Sequence, residues 1–135
     1  MRAPRSLVLG VLLSAALVGC GSTTDQVRHE AFCTNAPELL EQVTTNLSSV
    51  PSSASTAVDL LDDTVTELEK VQPPEDVAKE WERLVTAMGD MRDLVARADP
   101  TDPAANADLA PELQRLQPEL TEAGTAIDDW GKANC

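Results

Sequence analysis

The strongest constraint on the fold is the spacing of apolar residues, which alternates between four and three positions over most of the chain. In the last third of the chain this repeat comprises Leu109, Leu113, Leu116, Leu120, Ala123, Ile127 and Trp130. Such spacing places the apolar side chains on one face of an α-helix. Aromatic residues make up 2% of the chain, and no run alternates apolar and polar residues as a half-buried strand does. The sequence therefore predicts an all-α protein.

Four amphipathic helices are predicted, over residues 25–47, 54–71, 74–97 and 108–133. The apolar seams of the first three comprise Phe32, Ala36, Leu40, Val43 and Leu47, then Ala54, Val58, Leu61, Val65 and Leu68, then Val77, Trp81, Leu84, Met88, Met91 and Val95. Helices joined by short connections favour antiparallel neighbours. We therefore expect an up-down antiparallel four-helix bundle.

Two prolines fall inside predicted helices. Pro37 follows Asn35, which together with Glu38 resembles a capping box, so the first helix either kinks there or starts afresh near Asn35. Pro118 interrupts the backbone hydrogen bonds of the last helix, so we expect a kink or a break near Gln117.

The first twenty residues have the order of an export signal. Arg2 and Arg5 precede an apolar run over residues 7–18 that is too short to span a membrane. The following Leu17-Val18-Gly19-Cys20 resembles the lipobox of bacterial lipoproteins. That resemblance implies cleavage before Cys20 and a diacylglycerol on its thiol.

The domain boundaries and the location follow from this resemblance. Residues 1–19 are expected to be the signal peptide, residues 20–24 the lipid anchor with a short tether, and residues 25–135 the helical domain. The expected place is the cell membrane, on its extracytoplasmic face, with the lipid on Cys20 as the anchor.

Two cysteines remain once Cys20 carries a lipid. Cys33 and Cys135 form an even pair in an oxidising compartment, which predicts a disulfide between the first and last helices. It would close a loop of about 100 residues, for which the chain-entropy model gives about 4 to 5 kcal/mol. In an up-down bundle the same end would collect the only aromatic residues, Phe32, Trp81 and Trp130.

The charge of the chain excludes one class of partner. The formal net charge is −13, and without Arg2 and Arg5 it is −15, from eight basic and 23 acidic residues. Such a surface repels nucleic acid. The acidic strip Asp59, Asp62, Asp63 and Glu67 could attract a divalent cation, yet the chain has no EF-hand spacing and no Glu-x-x-His pair. A solvated acidic face is the expectation, with no metal or cofactor.

No catalytic set is predicted. His29 is the only histidine, and its one candidate nucleophile, Cys33, has a disulfide partner. We expect His29 to be a surface helix residue. Met88 and Met91 could bind copper together with His29, but they occupy the apolar seam, where methionine is a common core filler.

Three short stretches are similar to a group of small, largely uncharacterised exported helical proteins of actinobacteria. They are Phe32-Cys33, the entry to the third helix from Val71-Gln72-Pro73-Pro74-Glu75 to Trp81, and the closing Trp130 to Asn134-Cys135. The resemblance implies the helical fold, an envelope location and a disulfide from the first to the last helix. It implies no activity.

Two hypotheses of function remain. The first is a non-enzymatic binding or scaffolding module for an envelope protein. The second is a carrier of a small ligand or cation, held in the bundle core or on the acidic face. A filled interior favours the first, whereas a cavity of several hundred Å³ with convergent polar groups favours the second.

Overall fold

The structure is a computed structural model that describes residues 21–49 and 53–135. The predicted signal peptide, residues 1–19, and the lipidation site Cys20 lie outside the described residues. Four α-helices and one short 3₁₀-helix make up the described part, which contains no strand. They are α1 (Gly21–Ser48), α2 (Ala54–Glu69), α3 (Glu75–Arg97), the 3₁₀ turn Ala107–Leu109 and α4 (Ala110–Asn134). The all-α prediction is confirmed.

The first helix begins earlier than the sequence indicates. α1 starts at Gly21, so residues 21–24, expected as a tether before a helix from residue 25, are helical. Apolar periodicity marks only the part of a helix that packs against something. A polar first turn therefore leaves no signal of this kind, and the predicted start was too late.

Both internal prolines lie within continuous helices. α1 runs through Pro37 and α4 runs through Pro118, so neither a fresh start near Asn35 nor a break near Gln117 occurs. An interior proline removes one backbone donor and costs about 3 kcal/mol or more. The apolar repeats on both sides of each proline are in phase, so packing of one continuous seam opposes that cost.

The helix termini are held by specific contacts. The Asp25 carboxylate Oδ1 accepts a hydrogen bond from the backbone N–H of Glu75 at 3.3 Å, which ties the start of α1 to the first residue of α3. At the other end of α3, the Asn106 side chain accepts from the Asp99 N–H and donates to the Asp99 carbonyl, both at 2.8 Å. These two hydrogen bonds join the two ends of the connector between α3 and α4.

The core is built from the predicted seams. Its largest fully buried side chains include Leu68, Val77, Met88, Leu116 and Ile127, and Met88 lies within the main apolar cluster as a core filler. One seam residue departs from the expectation, because Leu113 is 39% exposed. The side chains of Leu47 and Ala54, also predicted in the seams, are outside the described part.

α3 buries a second apolar strip in addition to the predicted seam. Ala87 and Leu94, which no seam included, form a second apolar cluster with Leu116 of α4. Because α3 packs against both α2 and α4, it needs two apolar strips, and a single four-three repeat cannot describe both.

Ion pairs link α3 to α4 in opposite residue order. Arg83 binds Glu119 at 3.0 Å, and Arg115 binds Asp90 at 3.3 Å. Arg97 pairs with Glu112 near the α3–α4 connector. Exposed ion pairs contribute little to stability, so these pairs orient the helices more than they stabilise them.

Candidate functional site

The disulfide joins α1 to the last residue of the chain. Cys33 and Cys135 are bonded with their Cα atoms 5.4 Å apart, at a sequence separation of 102 residues. The predicted pairing is therefore present in the structure. Because Cys33 is bonded, it offers His29 no free thiolate, and the nucleophile considered for that pair does not exist in this state.

Aromatic rings gather beside the disulfide, as predicted. The Phe32 ring meets Trp81 edge-on with ring centroids 5.2 Å apart, and meets Trp130 in the same way at 5.5 Å. Edge-to-face pairs at this distance are the favoured arrangement of aromatic rings. The Trp81 indole Nε1–H is satisfied by the Leu68 carbonyl at 3.1 Å.

His29 departs from its expected place. It is half-buried, and its ring lies edge-on to Trp130 with centroids 5.4 Å apart. The expectation of a plain surface residue was incomplete, because it took no account of α4 packing against the first turns of α1. The ring extends the aromatic cluster by one member.

One groove lies between α1 and the end of α2. It has a volume of about 570 Å³, and we call it the α1–α2 groove. Val27, Arg28, Phe32 and Leu39 of α1 line one wall, and Glu67, Lys70 and Val71 line the other. The groove is open to solvent, while the interior beside it is filled by core side chains such as Leu68.

Arg28 is the unusual residue of this groove. Its Nε–H is buried and has no hydrogen-bond partner. The four other arginines of the described part, Arg83, Arg92, Arg97 and Arg115, all bind carboxylates. A buried donor without an acceptor is unfavourable. The sequence analysis did not single out Arg28, since nothing local separates it from any other arginine on a helix.

The remaining charges of the groove are arranged asymmetrically. Lys70 binds Glu67 at 2.6 Å, so these two charges largely cancel. The Asp25–Glu75 hydrogen bond brings the α2–α3 connector to the first turns of α1, which places Lys70 and Val71 at the same end of the groove as Arg28. Arg28 lies at that end with its Nε–H unpaired.

A second, smaller groove lies between α1 and α4. Its volume is about 250 Å³, and the disulfide forms part of its wall together with Pro37, Leu40 and Ile127. The lining is mostly apolar, with Asp128 and Lys132 at the edge. Those two side chains bind each other, so this groove offers no uncompensated charge.

The acidic strip of α2 is partly neutralised. Asp62 accepts from Arg92 at 3.0 Å, and Glu67 is held by Lys70. Across residues 21–49 and 53–135, no group of three or more His, Cys, Asp or Glu side chains is positioned to hold a metal ion. Within the same residues, no helix is both long and apolar enough to cross a membrane.

Perturbed pKa values follow the surface ion pairs. The hydrogen bonds that Arg83 donates to Glu119, and then to Glu80 and Glu122, raise the pKa of Arg83 above its ordinary value. The Arg97 guanidinium lowers the pKa of Glu112, and the Thr101 hydroxyl lowers that of Asp99. None of these groups lines the α1–α2 groove or the groove between α1 and α4.

Comparison with known proteins identified no relative of the chain. No protein-family model, no curated protein and no solved structure matches the chain. The class is therefore that of an all-α, disulfide-linked domain with open grooves on both sides of α1.

Proposed function

We propose that the protein is a membrane-anchored extracytoplasmic lipoprotein that acts as a non-enzymatic binding or scaffolding module. The lipid on Cys20 would be the anchor, and the α1–α2 groove would be the binding surface. The observation that carries the binding role is the unpartnered Arg28 Nε–H beside exposed apolar surface in that groove.

The export part of the proposal has two supports. The order of basic residues, apolar run and Leu17-Val18-Gly19-Cys20 is typical of lipoprotein precursors. The Cys33–Cys135 disulfide suits an oxidising compartment outside the cytoplasm. Since α1 begins at Gly21, directly after Cys20, a lipid there would hold the domain close to the bilayer.

We further propose that the helices form an up-down antiparallel bundle. The supporting observations are the opposite order of ion pairs along α3 and α4, and the disulfide from α1 to the end of α4. Kinks at Pro37 and Pro118 belong to the same proposal. Residual dipolar couplings measured along α1 and α4 would test both.

The anchor is tested by replacing its thiol. Cys20→Ala should move the protein out of the membrane fraction or leave it unprocessed, whereas Cys135→Ser, which keeps Cys20, should remain membrane-bound. If Cys20→Ala fractionates and migrates like the wild type, the anchor proposal is wrong.

The binding role is tested by site-specific crosslinking in intact cells. A photoactivatable side chain at Asn35, which lies in the groove, should give discrete adducts, whereas the same side chain at Thr66, on α2 outside the groove, should not. Equal adduct patterns from the two positions would contradict a binding surface at the groove.

The second hypothesis, carriage of a small ligand, is favoured at the groove and not in the interior. The fully buried Leu68, Met88 and Ile127 fill the core. A groove of about 570 Å³ is within the range of small-molecule sites. It is lined by Arg28, whose Nε–H has no hydrogen-bond partner.

A further inference from the structure

We propose that the α1–α2 groove binds a long-chain carboxylate, with its head group on Arg28 and its chain on the apolar surface formed by Val27, Leu39 and Val71. The inference rests on the proposed function in taking this groove as the binding surface. It adds the chemical class of the ligand.

The carboxylate head group of the ligand is inferred from the environment of Arg28. Its Nε–H is buried and lacks an acceptor, and it lies in an otherwise acidic molecule of net charge −13. A guanidinium presents its N–H groups as a planar fork that matches a carboxylate. Because the Nε–H is closed to solvent, a ligand carboxylate would bind the terminal N–H groups of this guanidinium from the groove.

The apolar chain of the ligand is inferred from the surface beside Arg28. Val27 is the adjacent residue and is 65% exposed, although it is large and apolar. Phe32, Leu39 and Val71 continue the apolar lining. Along α1 the groove extends from Val27 to Gln42, about 22 Å at 1.5 Å per residue. An elongated apolar chain would cover this surface and remove it from water.

The size of the groove favours a small ligand with a single apolar chain. A volume of about 570 Å³ is typical of small-molecule sites. The carboxylate of Glu38 lies ten residues beyond Arg28, about 15 Å along the helix. The two charges therefore distinguish the ends of the groove and would orient the ligand with its head group at Arg28.

The test uses the full chain reconstituted in phosphatidylcholine nanodiscs, with a photoactivatable dodecanoate as the probe. The matched probes are the corresponding dodecanol, which has the chain without the charge, and acetate as a competitor, which has the charge without the chain. Crosslinked peptides are located by mass spectrometry, which separates labelling of the groove from partition into the bilayer.

The dodecanoate probe should label α1 and the end of α2 in the wild type. Arg28→Gln should reduce this labelling at least about tenfold, because a charge-assisted pair is lost. Val27→Ser should reduce the labelling as well. Because Val27 is exposed, this variant should fold as the wild type does, and circular dichroism checks its folding. Arg115 is paired to Asp90 on another face, so the Arg115→Gln variant should be labelled to the same extent as the wild type.

Several results would overturn the proposal. These are equal labelling of the wild type and Arg28→Gln, groove labelling by the dodecanol probe as strong as by dodecanoate, or displacement by acetate alone. Displacement by an acidic peptide but not by unlabelled dodecanoate would identify a protein partner instead. The Cys20→Ala fractionation is read independently, so a failed ligand and a failed anchor are distinguishable.

Discussion

The Trp81 indole Nε1–H donates a hydrogen bond to the Leu68 carbonyl at 3.1 Å, in the buried core between α3 and α2. Leu68 is in the last turn of α2, where backbone carbonyls lose their helical partners. The Leu68 carbonyl also accepts a hydrogen bond from the Val71 N–H at 3.2 Å, so the indole of α3 is its second donor. The same indole also meets Phe32, so one residue of α3 connects α2 and α1.

Loss of this hydrogen bond should destabilise the protein beyond the change in volume. Trp81→Phe removes this hydrogen bond while the Leu68 carbonyl keeps the Val71 N–H, so we expect the lost bond to lower the free energy of unfolding by about 0.5 to 1.5 kcal/mol. Chemical denaturation followed by circular dichroism measures it. Trp130→Phe, at a half-buried residue with no indole hydrogen bond in the structure, is the matched control and should cost less.

Reduction of the disulfide should loosen the end where the aromatic rings gather. Cys135→Ser is expected to lower the free energy of unfolding by about 2 to 5 kcal/mol and to shift tryptophan emission to longer wavelength, because Trp130 is five residues from the bond. Cys20→Ser leaves the bridge intact and should keep the wild-type midpoint. Two reactive thiols at Cys33 and Cys135 in the unreduced protein would contradict the bridge.

The two leucines at the start of the α4 seam should differ in their effect on stability. Leu116 is 1% exposed and Leu113 is 39% exposed. Leu116→Ala is expected to cost about 2 to 5 kcal/mol, and Leu113→Ala is expected to cost much less, because most of a cavity there would fill with water. Equal losses in urea denaturation would mean that Leu113 is packed as the sequence predicted.

The Asp25 carboxylate should contribute to the stability of the α3 N-terminus. Asp25→Ala removes its hydrogen bond to the Glu75 N–H and a negative charge near the positive end of the helix dipole, which we expect to cost about 1 kcal/mol. Asp59→Ala, an exposed acidic residue of α2 with the same change of charge, is the control. Amide exchange at Glu75 to Val77 should accelerate in the first variant alone.

The pairing of Arg97 with Glu112 should produce an acid-sensitive contribution to stability. Arg97 lowers the pKa of Glu112 in the folded state. A depressed folded pKa stabilises the protein above the unfolded pKa, and that contribution is lost as the pH falls through the folded value. Carboxyl titration by NMR should show the pKa of Glu112 rising in Arg97→Gln. An unchanged pKa would contradict the pair.

The spacing of apolar residues was sufficient to predict the helices and much of the core. Helix formation depends on side chains three and four positions apart, and this relation is visible in the sequence. The Cys33–Cys135 pairing could also be predicted, because a chain expected to be exported, with a lipid expected on Cys20, has two remaining cysteines and one possible bond. The gathering of Phe32, Trp81 and Trp130 followed from that bond and the order of helices.

Other features depended on neighbours that are distant in sequence. Helix continuity through Pro37 and Pro118 depends on packing on both sides of each proline. The exposure of Leu113 and the burial of Leu94 depend on which faces of α3 and α4 meet. The isolation of Arg28 depends on α2 bringing no carboxylate to its Nε–H. Local periodicity decided which residues are helical and apolar, whereas only the tertiary structure decided which side chains lack a partner, because burial and pairing are properties of contacts between helices.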